Sequence, residues 1–304
     1  MFGTNTFDVC GNSSFYGDID IKKGDINFTD GYIGISQDTT TGPIRIGNAA
    51  GNQNQGNYSV AIGNNAGNLN QGNETIAIGR NAGFTGQLSN GVAMGNGACE
   101  QGQGSGSVAI GQNALAINTT GIQNVAIGRN ALDANTTASN NIAVGDSALT
   151  ANTTGTRQTA VGANALDANT TGSNNVAIGV HALGANTTGH SNTALGQGSL
   201  LSSTTAIENT AAGRFSMEAT TTGSYNTAIG SGALAFNTTA SNNTAVGYQA
   251  AYTGTTASGI AAFGYRSLYL NTANNNTAFG SDTLSANTTG TQNTTIGKNA
   301  LTSN

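Results

Sequence analysis

Charge is scarce in this chain. Asp, Glu, Lys and Arg make up 8% of its 304 residues, and the formal net charge is −5. No basic stripe is present that would displace counterions from phosphates, which argues against nucleic acid as a partner. The acids gather near the start, where Asp8, Asp18, Asp20, Asp25, Asp30 and Asp38 are set against only Lys22 and Lys23. Cysteine occurs twice, at Cys10 and Cys99, outside any metal-ligand spacing, and Cys99 reads as a small buried hydrophobe. No stretch approaches the ~20 apolar residues of a membrane-spanning helix, so membrane insertion is not expected. The opening Met1-Phe2-Gly3-Thr4-Asn5 lacks the basic and apolar segments of a secretory signal. Proline occurs once, at Pro43, ahead of the first repeat, where no sheet donor is yet lost.

Glycine, by contrast, numbers 45, and a tetrapeptide apolar-Ala-apolar-Gly returns every 16 or 17 residues. Its glycines run from Gly47 through Gly111 at steps of 16, then to Gly297 at steps of 17, apart from one step of 16 between Gly264 and Gly280. Disordered chains also combine low hydrophobicity with glycine, but disorder does not hold apolar residues in register. Helical hairpins and propeller blades need roughly 34 to 50 residues per repeat. The period instead fits one coil of an all-β fold, a parallel β-solenoid or β-roll of about sixteen coils. Three regions are expected: a capping or docking β segment over 1–43, Gly/Asn-rich 16-residue coils over 44–111, and 17-residue coils with a leucine ladder over 112–304.

The coil around Gly128 serves as the type case. Alternation puts Val125 and Ile127 on one face of a short strand and Ala126 on the other. Gly128 frees the backbone for a tight turn. A second short strand is expected to set Leu132 and Ala134 opposite Ala131 and Asp133, and Asn135-Thr136-Thr137 opens a return turn.

Stacked coils turn these positions into ladders. One is Leu115, Leu132, Leu149, Leu166, Leu183 and Leu200; a second is Asn124, Asn141, Asn175, Asn192, Asn209, Asn226 and Asn243, with Gln158 among them; a third is Asn118, Asn135, Asn152, Asn169 and Asn186. Amides stacked at about 4.8 Å are expected to hydrogen-bond to their copies above and below, a structural role. The alanines Ala109, Ala126, Ala143, Ala160 and Ala177 are expected to point away from the core as a strip of methyls for another copy to cover, so the chain should be a homo-oligomer.

Chemistry is thinly represented. His181 and His190 have no metal-binding or catalytic pattern beside them and read as surface residues. Asp133 and Asp167 share a column two coils apart, about 9.6 Å at ~4.8 Å per coil, but a flat roll offers no cleft for glycoside hydrolysis. No metal, cofactor or enzymatic activity is expected. The candidate recognition site is aromatic: Tyr248 and Tyr265 share one column, Tyr252 and Tyr269 another, and together they read as a stacked platform for sugar rings or for a protein.

The motif Asn175-Val176-Ala177-Ile178-Gly179 with the following Ala182-Leu183 resembles the head repeats of trimeric autotransporter adhesins, and the Asn-Thr-Thr-Gly turn at 186–189 is similar to arrays in tail fibres of phages and large DNA viruses. The likeness covers residues 44–304 and implies a left-handed roll in a homotrimer. Residues 1–304 show no counterpart of the adhesins' signal peptide, heptad stalk or membrane anchor, nor of the self-cleaving chaperone of many viral fibres. The expected function is a non-enzymatic fibre on a virion surface or outside a cell that attaches to a host glycan or protein. The alternative is an extracellular filament, residues 1–43 docking head to tail on the last coil.

Overall fold

The computed structural model describes residues 42–102 and 104–302. The capping segment expected over 1–43, apart from Gly42 and Pro43, lies outside the described residues, as does Cys10. Sixteen strands of three residues each, from β1 (Ile44–Ile46) to β16 (Thr294–Ile296), form one parallel sheet in sequence order, and no helix occurs among the described residues. The fold is an all-β solenoid of 16- and 17-residue coils. The pairing never slips: β6 (Val125–Ile127) meets β7 (Ile142–Val144) with Val125 opposite Ile142, Ala126 opposite Ala143 and Ile127 opposite Val144. The change of coil length at Gly111 leaves the sheet continuous, since β5 (Val108–Ile110) pairs β6 in the same register.

The strand alternation expected from sequence is present, but its sides are reversed. Ala109, Ala126, Ala143, Ala160 and Ala177 are fully buried, while Val125 is half-buried and Ile127 exposed. The cause is the thinness of the roll. Opposite each strand alanine stands the leucine ladder: at Gly83, the ladder position of its coil, a Cβ would lie 3.5 Å from the Ala77 methyl. Only a methyl fits between the strand and a leucine, so the larger β-branched residues face out.

Among the described residues no second strand forms: residues 129–134 are a succession of turns, and in the first coils isolated parallel bridges, Gln53 to Leu69 and Leu69 to Thr85, stand in its place. Asn130 and Leu132 take left-handed φ of 56° and 52°. This conformation is strained for a residue with a Cβ, and leucine adopts it at Leu115, Leu149, Leu166, Leu183 and Leu200 as well. The two left-handed residues flank Ala131, whose N donates to Gly128 O of the same coil at 3.4 Å, and their own amides point in opposite directions along the stack. Asn130 N donates to Gln112 O of the preceding coil at 2.9 Å, whereas Leu132 N donates to Ala148 O of the next at 3.0 Å. The strain is thus offset by cross-coil hydrogen bonds and by burial of the side chain, so Ala131 and Leu132 are both inside rather than on opposite faces.

Gly128 closes each strand for a steric reason. Its φ is +135°, and a Cβ there would stand 2.3 Å from Gly145 O of the next coil. In the first coils, Gly51, Gly67 and Gly83 hold the leucine position at the same φ, 55°, 53° and 55°. Glutamines fill the space: Gln71 and Gln87 are buried, with Gln71 Nε2 donating to Val60 O at 3.0 Å and Gln87 Nε2 to Ile76 O at 3.1 Å. Cys99 occupies the same column and is fully buried, which pushes its thiol pKa well up.

The two asparagine ladders are wired differently. In the column of Asn124, the side chain mostly serves backbone: Asn141 N donates to Asn124 Oδ1 at 3.0 Å, and Asn124 Nδ2 donates to Ala138 O at 2.8 Å. Amide-to-amide bonds in this column occur at Asn192 to Asn175, Asn209 to Asn192 and Asn293 to Asn276. The return-turn column is the continuous amide chain, with Asn135, Asn152, Asn169 and Asn186 each donating to the asparagine one coil before at 2.8 to 3.2 Å.

Candidate functional site

The coil repeat places the four tyrosines in two stacks. Tyr248 and Tyr265 lie with ring centroids 5.6 Å apart and planes 12° from parallel, and Tyr252 and Tyr269 lie 5.2 Å apart at 4°. Both spacings follow the coil repeat, since each ring leaves its backbone at the same point of the turn. Tyr248 and Tyr265 are half exposed, at 49% and 48%. Phe236 meets Tyr252 edge-on at 5.0 Å and 88°, and the Arg266 guanidinium lies over Tyr269 at 4.1 Å. Arg266 Nε, buried and without a hydrogen-bond partner, is held by the ring face instead.

The stacks do not act as one flat platform. Tyr248 and Tyr252 line a depression of about 170 Å³, whereas Tyr265 and Tyr269 stand behind them as backing. The facing wall is Arg214, Phe215 and Glu218, and Gln249 joins the tyrosine wall. Arg214 lies over the Phe215 ring at 4.3 Å and donates from Nε to Gln197 Oε1 at 3.2 Å. Phe215 lies across Gly198, where a Cβ would come within 2.5 Å of the ring.

Column alignment explains the gap between the walls. Positions 214, 231 and 248 share one column, 215, 232 and 249 the next, and 218, 235 and 252 a third. The outer coils carry large side chains at all three positions, while the coil between them carries Ser231, Gly232 and Ala235. The walls therefore rise two coil steps apart, about 9.6 Å between backbones, over a floor stripped of side chains. The tyrosine columns alone pointed to one wall of the depression. The large-small-large pattern down three columns was the signal for Arg214, Phe215, Glu218 and Gln249.

The carboxylates Asp133 and Asp167 lie outside this depression. Partial burial raises both pKa values, and for Asp167 hydrogen bonds from backbone and the charge of His181 act in the opposite direction. His181 and His190 are exposed, His190 Nδ1 standing 3.3 Å from Ser191 Oγ.

A second surface of interest is the outer face of the sheet. The first and third residues of each strand look outward, as in Val125 and Ile127, Val176 and Ile178, or Thr193 and Leu195. Phe263 and Phe279 extend this strip as stacked rings 4.5 Å apart. Comparisons with family models, with curated proteins and with solved structures each return no match.

Proposed function

We propose that this chain is a non-enzymatic structural fibre protein that assembles as a homotrimer through the outer face of its sheet and attaches a virus or phage particle, or a cell, to a host surface. The observation that carries the reading is the outward strip of Val, Ile, Leu and Phe side chains along the sheet. Fifteen coil steps at ~4.8 Å make it about 72 Å long; the third strand residue is apolar throughout, while the first is mostly threonine from Thr193 onward, so the strip is two apolar side chains wide in its first half and one in its second. The largest apolar patch on a soluble monomer is often functional, and a strip this long and continuous is a natural contact surface. All strands share one direction, so parallel copies set side by side bring like coils together along the whole length. The number three comes from the resemblance of the repeat to trimeric adhesin heads and viral fibres; the strip supports side-by-side assembly in general.

Electron microscopy across a range of concentrations, with mass measured in parallel, tests the reading. Rods of one length containing three chains are expected. Monomers at micromolar concentration overturn it, and threads that lengthen with concentration favour a head-to-tail filament instead.

A further inference from the structure

The geometry points to the depression between Arg214 and Tyr248 as a binding site for one neutral pyranose ring of a glycan. The inference deepens the attachment reading and rests on it for biological purpose.

Size comes first. At about 170 Å³ the depression is smaller than the ~300–1,000 Å³ of pockets for drug-sized ligands, so it admits a single ring. Its walls are aromatic, Phe215 on one side and Tyr248 and Tyr252 on the other, and each is buttressed from behind. Arg214 caps Phe215, Tyr265 backs Tyr248 and Tyr269 backs Tyr252. Rings backed on one face and open on the other need little ordering by the ligand, which lowers the entropic cost of binding.

Polarity narrows the ligand further. Arg214, Glu218, Ser231 and Gln249 bring donors and acceptors into the same small space. An apolar or aromatic side chain would leave these groups unpaired and desolvated. A pyranose has an apolar C–H face for the tyrosine rings and a rim of hydroxyls for the polar groups. One cation, Arg214, and one carboxylate, Glu218, offset each other, which favours a neutral sugar over an acidic one.

A separate observation marks these coils as departing from the repeat. The amide chain that runs from Asn118 to Asn186 breaks at Ser203 and Thr220, and Asn186 Oδ1, Ser203 Oγ, Thr220 Oγ1 and Asn237 Oδ1 are buried with no hydrogen-bond partner. The leucine ladder also lapses to Met217 and Ala251. Departures from a protein's own local rules concentrate at functional sites; here Met217, Thr220, Asn237 and Ala251 fall in the coils that build the depression, and Asn186 and Ser203 in the two coils before it.

Gly232 supplies the test. A Cβ there would touch Gln249 Cγ at 3.3 Å and Tyr252 Cε2 at 3.4 Å, reaching into the floor. Asn130 and Asn164 hold the same column at φ 56° and 54°, close to the 67° of Gly232, so Gly232→Asn returns the repeat's own residue and should fold. The probes are methyl glycosides of glucose, galactose, mannose and N-acetylglucosamine, with the methyl glycoside of N-acetylneuraminic acid and N-acetyltyrosinamide for comparison. Saturation-transfer NMR on the full chain is expected to show at least one neutral glycoside bound through its ring C–H protons. Gly232→Asn and Tyr248→Ala should each weaken it by about tenfold or more, with circular dichroism and assembly unchanged. The inference is overturned if no neutral glycoside binds, if binding survives Gly232→Asn undiminished, or if only the acidic or the aromatic probe binds. Trimers that bind no glycoside refute the site and leave the fibre reading standing; monomers that bind do the reverse.

Discussion

Asn186 donates its amide to Asn169 one coil before, but its own Oδ1 receives nothing from Ser203 one coil after, and the Ser203 hydroxyl is itself buried and unpaired. Serine is too short to continue an asparagine chain. Thr220 repeats the defect one coil on, and Asn237 Oδ1 is unpartnered because Gly254 stands one coil after it.

Replacing Ser203→Asn together with Thr220→Asn should join the chain from Asn118 to Asn237. The expected gain is about 1 kcal/mol per restored bond, since a buried unpaired group is relieved each time. Thermal or urea unfolding of the double variant measures it, and an unchanged midpoint would mean that ordered water already bridges these atoms.

Burial of the strand alanines predicts opposite outcomes on the two faces of one strand. Ala160→Leu should destabilise the roll by about 1–3 kcal/mol through overpacking. Ile178→Asp, on the outer face, should cost the single chain little and shift its mass toward the monomer. Unfolding midpoints and sedimentation of both variants separate packing from assembly.

Gly128→Ala puts a methyl on a backbone at φ +135° and 2.3 Å from Gly145 O. A loss of about 3 kcal/mol or more is expected. In a stacked fold the damage should be local. Hydrogen exchange should therefore show lost protection in the coils beside Gly128 before distant ones.

Asp133 and Asp167 carry carboxyl pKa values raised above the ordinary 3.8 by desolvation. The folded chain holds these protons more tightly than the unfolded chain. Their stabilising contribution is therefore present below the ordinary value and lost as pH rises through the raised one. Asp133→Asn should stabilise slightly at pH 7, by less than about 0.5 kcal/mol because the group is largely solvated, and should have no effect near pH 3. Melting temperatures of the variant and parent at the two pH values check the sign.

The 16- and 17-residue period, the parallel stack and the ladder columns were legible in the sequence because each is a property of spacing. A residue displaced by one position would break a column, so periodic glycine, asparagine and leucine report the coil directly. The tyrosine stacks were legible for the same reason. Phe215 and Arg214 were not, because they enter the depression through what their neighbours lack, namely the side chains missing at Gly198 and Gly232.

Alternation along Val125, Ala126 and Ile127 determines that the alanine lies on one side of the strand and the larger residues on the other, but a period of two has no inside. Tertiary structure decided the side: the turn through Asn130 and Leu132 folds back so closely beneath the sheet that only a methyl fits against the leucine, and the bulk is left facing out. The same left-handed turn replaced the expected second strand, because cross-coil hydrogen bonds and the burial of Leu132 outweigh a backbone preference that local sequence alone would have obeyed.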